Sequence, residues 1–334
     1  MSVRSRATPP GTGYGLALND REQVSHWRAV CIPRRARPWL ALAFYVLCGL
    51  LSAGSYAIRD PTRVCACIGN ADPALFMWSL AWWPHALAAG NNPLVQHVLW
   101  SPVGSNLARS TTVPTAALLL APVTVLFGPL VAYNVMAIAS PVLAAFTAYL
   151  LCRRLLKAEL PALAGGLLFG FGAYEFAQLV GHPNLALVFL IPVVAHLAIR
   201  RAAGELSGRR YVLYVTVVLV AQMGLSTELL ASTVALGFLL LLVARILAPA
   251  GEQAQLNRVI VENVAACLLA GLICSPFLYY ALVKGGAPQE SPIVSDQYGL
   301  DLLNPLFPTR STWLGSHVFE RTPFMGPPAV RAGG

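Results

Sequence analysis

The segment "ADPALFMWSLAWWPHAL", residues 71–87, joins a carboxylate to a run of tryptophans and leucines. Asp72 precedes Pro73, so it can cap a helix that carries proline at its first position. In the helix that follows, Phe76, Leu80, Trp83 and Leu87 recur at i, i+4, i+7 and i+11, and Trp78 and Trp82 broaden the stripe. This is the pattern of a helix lying in a membrane interface with Trp at headgroup depth. An acid at the lip of such a helix meets both lipid and water, where a lipid-linked substrate presents its reactive head. Asp72 is therefore the first candidate for chemistry, with capping as its plainer role.

Other polar residues stand at the ends of apolar runs. Glu175 lies four or five residues inside one, "FGFGAYEFAQLV". An ionisable group there costs about 2.5–3.5 kcal/mol on the insertion scale and is a functional candidate by default, unless it snorkels or pairs with an arginine such as Arg109. His182 and Asn184 occupy the turn "GHPN", whose glycine, proline and asparagine are also ordinary turn residues. Glu228 stands in "STE", where a carboxylate suits a helix start and Ser226 can cap it. Asp60 follows the first apolar run, and Asp301 and Asn304 belong to "SDQYGLDLLNP". His196 and Glu262 read as structural. Cys65 and Cys67 either pair with each other, enter mixed disulfides, or remain thiols; Cys48, Cys152, Cys267 and Cys274 read as small buried hydrophobes. No Cys or His spacing matches a structural zinc site.

The elements that hold these residues must be membrane helices. Hydrophobic residues make up 57% of the 334-residue chain and charged residues only 11%. A soluble fold of this length has no way to hide so much apolar surface. The net charge of +9 comes from basic residues spread between apolar runs, with no motif for reading nucleic acid, so no nucleic-acid partner is expected. The expected class is all-α: a polytopic bundle with the bilayer as its first partner.

Charge placement sets the expected topology, because cytoplasmic loops collect Lys and Arg. The apolar runs are Trp39–Ile58, Val113–Gly128, Val131–Leu151, Pro161–Val180, Leu185–Ile199, Tyr211–Leu225, Thr227–Ala244 and Val259–Val283. If 113–128 crosses, the basic residues divide almost evenly. If it dips in or lies on the surface, the tail (seven), 153–160 (three), 200–210 (four) and 245–258 (two) share one side, 16 against 7. The second arrangement is preferred. It gives about seven spans, a cytoplasmic N-terminus and an extracytoplasmic C-terminus. Residues 73–90 and 113–128 crossing as a pair would have the same parity. The expected organisation is a disordered basic tail (1–38), a transmembrane bundle (39–283) with its first outer loop at 59–130, and an extracytoplasmic segment (284–334). In this arrangement Asp60, Asp72, Glu175, His182, Asn184, Glu228, Asp301 and Asn304 gather at the outer face.

A first span followed by a long outer loop with an acid and interfacial helices resembles the GT-C superfamily of polyprenyl-phosphate-sugar glycosyltransferases. The residues that carry this are "ADPALFMWSLAWWPHALAAGNNPL", "WSPVGSNL", "FGPLVAYN", "FGFGAYEFAQLVGHPNL", "STELL" and "DLLNPLFPT", across about 39–310. The resemblance implies a polyprenyl-phosphate-linked sugar as donor and an acceptor outside the cytoplasm. It implies Asp72, with Asp60 as the alternative, as catalytic base or acceptor-positioning group, since a carboxylate can take the proton of an attacking hydroxyl. Arg109, Arg59 or Arg63 would then offset the phosphate charge. Glu175, His182, Asn184, Glu228, Asp301 and Asn304 are the further substrate-binding candidates. Some relatives use a divalent cation, which an acid-rich outer face could hold, although no ligand set stands out.

One feature departs from that pattern. Superfamily members usually carry more helices beyond this point, whereas this sequence runs out at "GPPAVRAGG". A shortened chain or one half of a split pair is therefore expected, and with it an alternative function: a non-catalytic membrane scaffold or partner subunit of another membrane protein. A transporter is a third reading and fits least, since no internal repeat is evident.

Overall fold

The computed structural model describes residues 33, 35–67, 72–99 and 101–284. The tail 1–32 and the segment 285–334, with Asp301 and Asn304, lie outside the described residues. Among the described residues the chain is helical almost throughout. Helix α1 (Arg37–Leu51) leads through turns to the loop 60–67, and α2 (Asp72–Ala88) follows. A small hairpin pairs β1 (Val95–Gln96) antiparallel with β2 (Ser105–Asn106), Val95 opposite Asn106. A 3₁₀ turn, Leu107–Arg109, runs into α3 (Pro114–Leu119) and α4 (Ala121–Phe127). Next come α5 (Pro129–Leu156), α6 (Glu159–Gly170), α7 (Ala173–Gly181), α8 (Pro183–Ala186) and α9 (Leu190–Ala202). The described chain ends with α10 (Gly208–Met223), α11 (Thr227–Leu247), α12 (Ala250–Ile273) and α13 (Ser275–Leu282).

Among the described residues five helical lengths are long and apolar enough to cross a bilayer: Pro129–Leu156, Glu159–Leu179, Pro183–Ala202, Thr227–Leu247 and Ala250–Ile273. Two of them are interrupted, α6 from α7 at Phe171–Gly172 and α8 from α9 at residues 187–189. The expectation of seven spans thus divides. α1 and α10 are apolar but have 15 and 16 residues. At 1.5 Å per residue they measure about 22–24 Å, against about 30 Å of hydrocarbon. Residues 113–128 form two helices of 6 and 7 residues, each about 10 Å long and far too short to cross.

Proline accounts for several of these breaks. Pro122 and Pro276, inside apolar runs of the sequence, stand in the first turns of α4 and α13, where a missing N–H costs no helical bond. Pro192 falls in the first turn of α9. Pro141 remains inside α5 and Pro84 inside α2.

The bundle is assembled on α5. The face of α6 that meets it carries Ala162, Gly166 and Gly170, one small residue per turn. A side chain on Gly170 would run into the backbone of Pro141 and Ala145, and one on Gly166 into the Tyr45 hydroxyl and the Ala145 carbonyl. Small residues at this spacing let two membrane helices approach closely. The Tyr45 hydroxyl, from α1, donates to Leu163 O at 2.8 Å and ties the third helix in. A second buried cluster joins α9, α10 and α12 through Leu197, Tyr211, Val215, Leu219, Val259 and Ala266.

The stripe of α2 faces protein, which corrects the interfacial reading of that face. Phe76, Leu80 and Trp83 are buried and pack with Val113, Tyr133 and Met136, while Leu87 is exposed. Trp78 and Trp82 stack on each other, ring centroids 5.4 Å apart. Periodicity alone cannot tell a lipid-facing stripe from a protein-facing one.

Gly170→Leu is expected to lower stability by about 1–3 kcal/mol or more, because the contact leaves no room for the new atoms. Gly237→Ala, with nothing within 4 Å of the added Cβ, serves as the control and should stay within about 0.5 kcal/mol of the parent or improve on it. Thermal unfolding of both variants in detergent would check this; equal stability of the two would rule out close α5–α6 packing.

Candidate functional site

The residues before α3 are fixed by hydrogen bonds to both sides. Gln96 binds the Leu99 backbone in both directions, its amide donating to Leu99 O at 3.2 Å and its carbonyl accepting from Leu99 N at 2.6 Å. Gly104 has φ +73, and a side chain there would collide with Gln96 and His97, so the hairpin needs glycine. Asn106 accepts from Ala108 N at 3.1 Å and donates to Tyr280 O at 2.7 Å, which joins this segment to α13. From α2, Ser79 accepts from Val113 N at 3.3 Å and the Trp82 indole donates to Pro93 O at 2.9 Å.

One further bond docks this segment on the turn between α10 and α11. Thr115 N donates to Gly224 O at 2.9 Å, and a side chain on Gly224 would collide with the Thr115 hydroxyl. The segment 108–114 is thereby laid beside Ser226, Thr227 and Glu228. Between them opens a polar cleft of about 190 Å³. Its lining includes Arg109, Ser110, Thr112, Asn184, Thr227 and Glu228.

Glu228 sits at the N-terminus of α11. Ser226 caps the helix, accepting from Leu229 N at 3.3 Å, and its hydroxyl donates to Glu228 Oε2 at 3.0 Å. Thr227 donates to the same oxygen at 3.3 Å. The capping role is therefore real, but it occupies one carboxylate oxygen only; Oε1 makes no hydrogen bond among the described residues. Arg109 is exposed and has no ion-pair partner among the described residues. An unpaired guanidinium beside several hydroxyls is suited to a phosphate or another oxyanion.

Three of the expected site residues, Arg109, Asn184 and Glu228, thus meet in one place. His182 is exposed, two residues from Asn184 and outside the cleft lining. Glu175 is fully buried in the first turn of α7 and does not line the cleft either. Its Oε1 lies 2.7 Å from Ser140 Oγ, which lies 2.6 Å from Ala186 O. A hydroxyl has one proton to give. Both contacts are hydrogen bonds only if the carboxyl is neutral and donates to Ser140, which then donates to Ala186. The chain of bonds ties α7 and α5 to α8, the short helix that carries Asn184. Glu175 Oε2 is buried without a partner among the described residues.

Asp60 lies elsewhere, in the exposed loop 60–67, bonded to Thr62 at 2.8 Å and near Arg63 at 3.9 Å. Cys65 and Cys67 in this loop are joined to each other. Asn134 of α5 holds the loop, donating to Pro61 O and Val64 O and accepting from Ala66 N at 2.7 Å. The backbone of Asp72 opens α2, but its side chain lies outside the described residues. Among the described residues no group of three or more His, Cys, Asp or Glu is placed to hold a metal ion.

At the opposite end of the bundle several arginines meet carboxylates. Glu159 accepts from Arg153 at 3.0 Å and from the Tyr149 hydroxyl at 2.7 Å, and Arg37 lies 3.4 Å away. Arg201 forks onto Glu262 with two bonds of 2.7 Å. Glu205 binds Arg154 and lies 3.5 Å from Arg200; donation from Arg154 holds its carboxyl below the usual range. Helix α10 runs between the two ends, from Gly208 beside Glu262 to Met223 in the cleft.

Sequence reasoning missed Ser140, Asn134, Ser110 and Thr112. The buried serine and asparagine sit in an apolar helix, and that alone marks them. The loop hydroxyls carry no such signal, because their role arises from the Thr115–Gly224 contact.

Residues 38–327 match the model of a family described as "Domain of unknown function (DUF6311)". No curated protein and no solved structure matches the chain.

Glu175→Gln should preserve thermal stability, since an amide can donate to Ser140 as the neutral acid does. Glu175→Ala should lose about 1–3 kcal/mol by leaving the buried hydroxyl network incomplete. Equal losses in both variants, measured by unfolding in detergent, would mean that the carboxyl is ionised and the assignment wrong.

Proposed function

The chain belongs to the DUF6311 family, and we propose that it is a membrane-embedded, glycosyltransferase-like protein whose polar cleft receives a polyprenyl-phosphate-linked sugar. The observation that carries this reading is the convergence of the Arg109 guanidinium, without an ion pair among the described residues, and the Glu228 carboxylate in one hydroxyl-lined cleft. Arg109 would hold the phosphate. The acceptor hydroxyl would attack the sugar's anomeric carbon. The bond from that carbon to the phosphate oxygen would break, and the phosphate would leave with the electron pair. A carboxylate would take the hydroxyl proton. Glu228 is the carboxylate of the cleft itself. Asp72 is the competing assignment, as the acid at the head of α2.

In the same reading α1 and α10 join the five longer lengths as spans, the N-terminus is cytoplasmic and the cleft opens on the extracytoplasmic side. Support comes from the arginine pairs at the ends of α5 and α9, the single Arg245 at the end of α11, and the shortness of α3 and α4. A second reading, a lipid-binding partner subunit without transfer activity, is favoured by one observation. Glu228 Oε2 is already engaged by two hydroxyls at a helix cap.

Lipid-linked sugar turnover in membranes tests the proposal. Arg109→Ala should weaken it about tenfold or more, the worth of a charge-assisted contact to phosphate. Glu228→Gln should reduce it about 100-fold or more if this carboxylate is the base. A loss of that size in Asp72→Asn alone would move the base to α2. Full turnover in all three variants, each shown to be folded, would end the cleft assignment.

Orientation has its own test. A cysteine placed at His182 should react with an impermeant thiol reagent added outside intact cells. Labelling only after the cytoplasmic face is opened would invert the topology.

A further inference from the structure

A second, apolar hollow of about 420 Å³ lies among α9, α10, α11 and α12. α11 is the least buried of the five long helical lengths, with 6% of its apolar window covered. The hollow is therefore a groove beside a helix that stands out from the bundle.

The groove and the polar cleft are built from the same walls. On α10, Val215 and Leu219 line the groove and Met223 lines the cleft, at i, i+4 and i+8 on one face. On α11, Glu228 lines the cleft and Ser232 and Leu236 line the groove, again four residues apart. Asn184 in the cleft leads through α8 to Ile191 and Val194 in the groove. Cys267 in the groove leads through α12 to Phe277 in the cleft. A step of four residues is about 6 Å along a helix. Two of the four walls, α11 from Glu228 to Leu236 and the stretch from Asn184 to Ile191, pass from polar to apolar within about two turns.

We propose that the groove receives the hydrocarbon chain of a phosphate-bearing amphiphile whose headgroup occupies the cleft, so that the two hollows are one amphipathic binding site. This rests on the reading of the cleft as a phosphate site. The polarity sequence argues for a single occupant. The mouth carries hydroxyl donors and a cation that has no ion-pair partner among the described residues, the floor is almost wholly apolar, and the boundary lies where a headgroup meets its chain. Gly237 opens the middle of the groove: a Cβ there meets nothing within 4 Å, so a larger side chain would project into free space.

The test uses the full chain in lipid nanodiscs and hexadecyl phosphate carrying a diazirine near its chain end, with the matching hexadecanol as the neutral probe. The phosphate probe should label α10 and α11 about tenfold above the neutral one, and Arg109→Ala should remove that excess. Gly237→Phe should abolish groove labelling while leaving Arg109-dependent binding of butyl phosphate, a short soluble ester, unchanged. Equal labelling by both probes, unaffected by Arg109, would reduce the groove to a seat for bulk lipid and overturn the proposal. Arg109-dependent butyl phosphate binding with probe labelling outside α9–α12 would sink the groove assignment alone. Absence of butyl phosphate binding would instead remove the phosphate reading of the cleft, and this inference with it.

Discussion

Helices in a bilayer gain little by hiding apolar side chains from lipid, because the lipid is as apolar as they are. What joins them is close contact between backbones and the pairing of polar groups. In this protein the governing contact is that of α5 with α6. Ala162, Gly166 and Gly170 give α6 a bare face, and the backbone of α5 at Pro141 and Ala145 comes against it. With that pair set, α1 is tied in by the Tyr45 hydroxyl, and α7 and α8 by the bonds of Ser140 to Glu175 and Ala186. Each later attachment is polar, and each uses α5 or α6 as its base.

The cleft depends on the same logic at a smaller scale. Its two sides come from segments more than a hundred residues apart, 108–114 and 226–228. One backbone bond, Thr115 N to Gly224 O, brings them together. Glycine at 224 is required because the Thr115 hydroxyl occupies the space of its side chain. The segment before Thr115 could not hold its shape alone; it is braced by Ser79 from α2, by Asn106 on α13 and by the hairpin. So one side of the cleft is a loop that the helices hold in place, and the other is built from helix ends that carry Asn184, Met223 and Glu228.

Much of this order could be read from the sequence, and the reasons it ran out are physical. Composition and charge placement identified a helical membrane bundle, and the short lengths of α3 and α4 agree with the view that 113–128 does not cross. The meeting of Arg109, Asn184 and Glu228 was anticipated only as a shared face; the contact that joins them is non-local and leaves no pattern along the chain. The stripe of α2 shows the opposite failure. Phe76, Leu80 and Trp83 have the right period for lipid contact, yet they lie against Val113, Tyr133 and Met136. Lipid and protein interior are equally apolar, so periodicity gives the face but not what covers it. Glu175 drew notice for a good reason, as an acid in an apolar run. Its observed setting, one hydroxyl away from the helix that carries Asn184, is that of a residue that positions rather than one that touches a ligand.

Charged groups at the two ends of the bundle are engaged differently. Arg153, Arg154, Arg200 and Arg201 each meet a carboxylate. Such pairs anchor helix ends and need no ligand. At the other end Arg109 meets no carboxylate among the described residues, and Glu228 keeps one oxygen unbonded, although both stand on the same cleft. Pairing them with each other would have been the simplest way to balance the site. They line the same cleft without forming an ion pair, and the proposed function uses each separately, the guanidinium for an oxyanion and the carboxylate for the proton of an attacking hydroxyl.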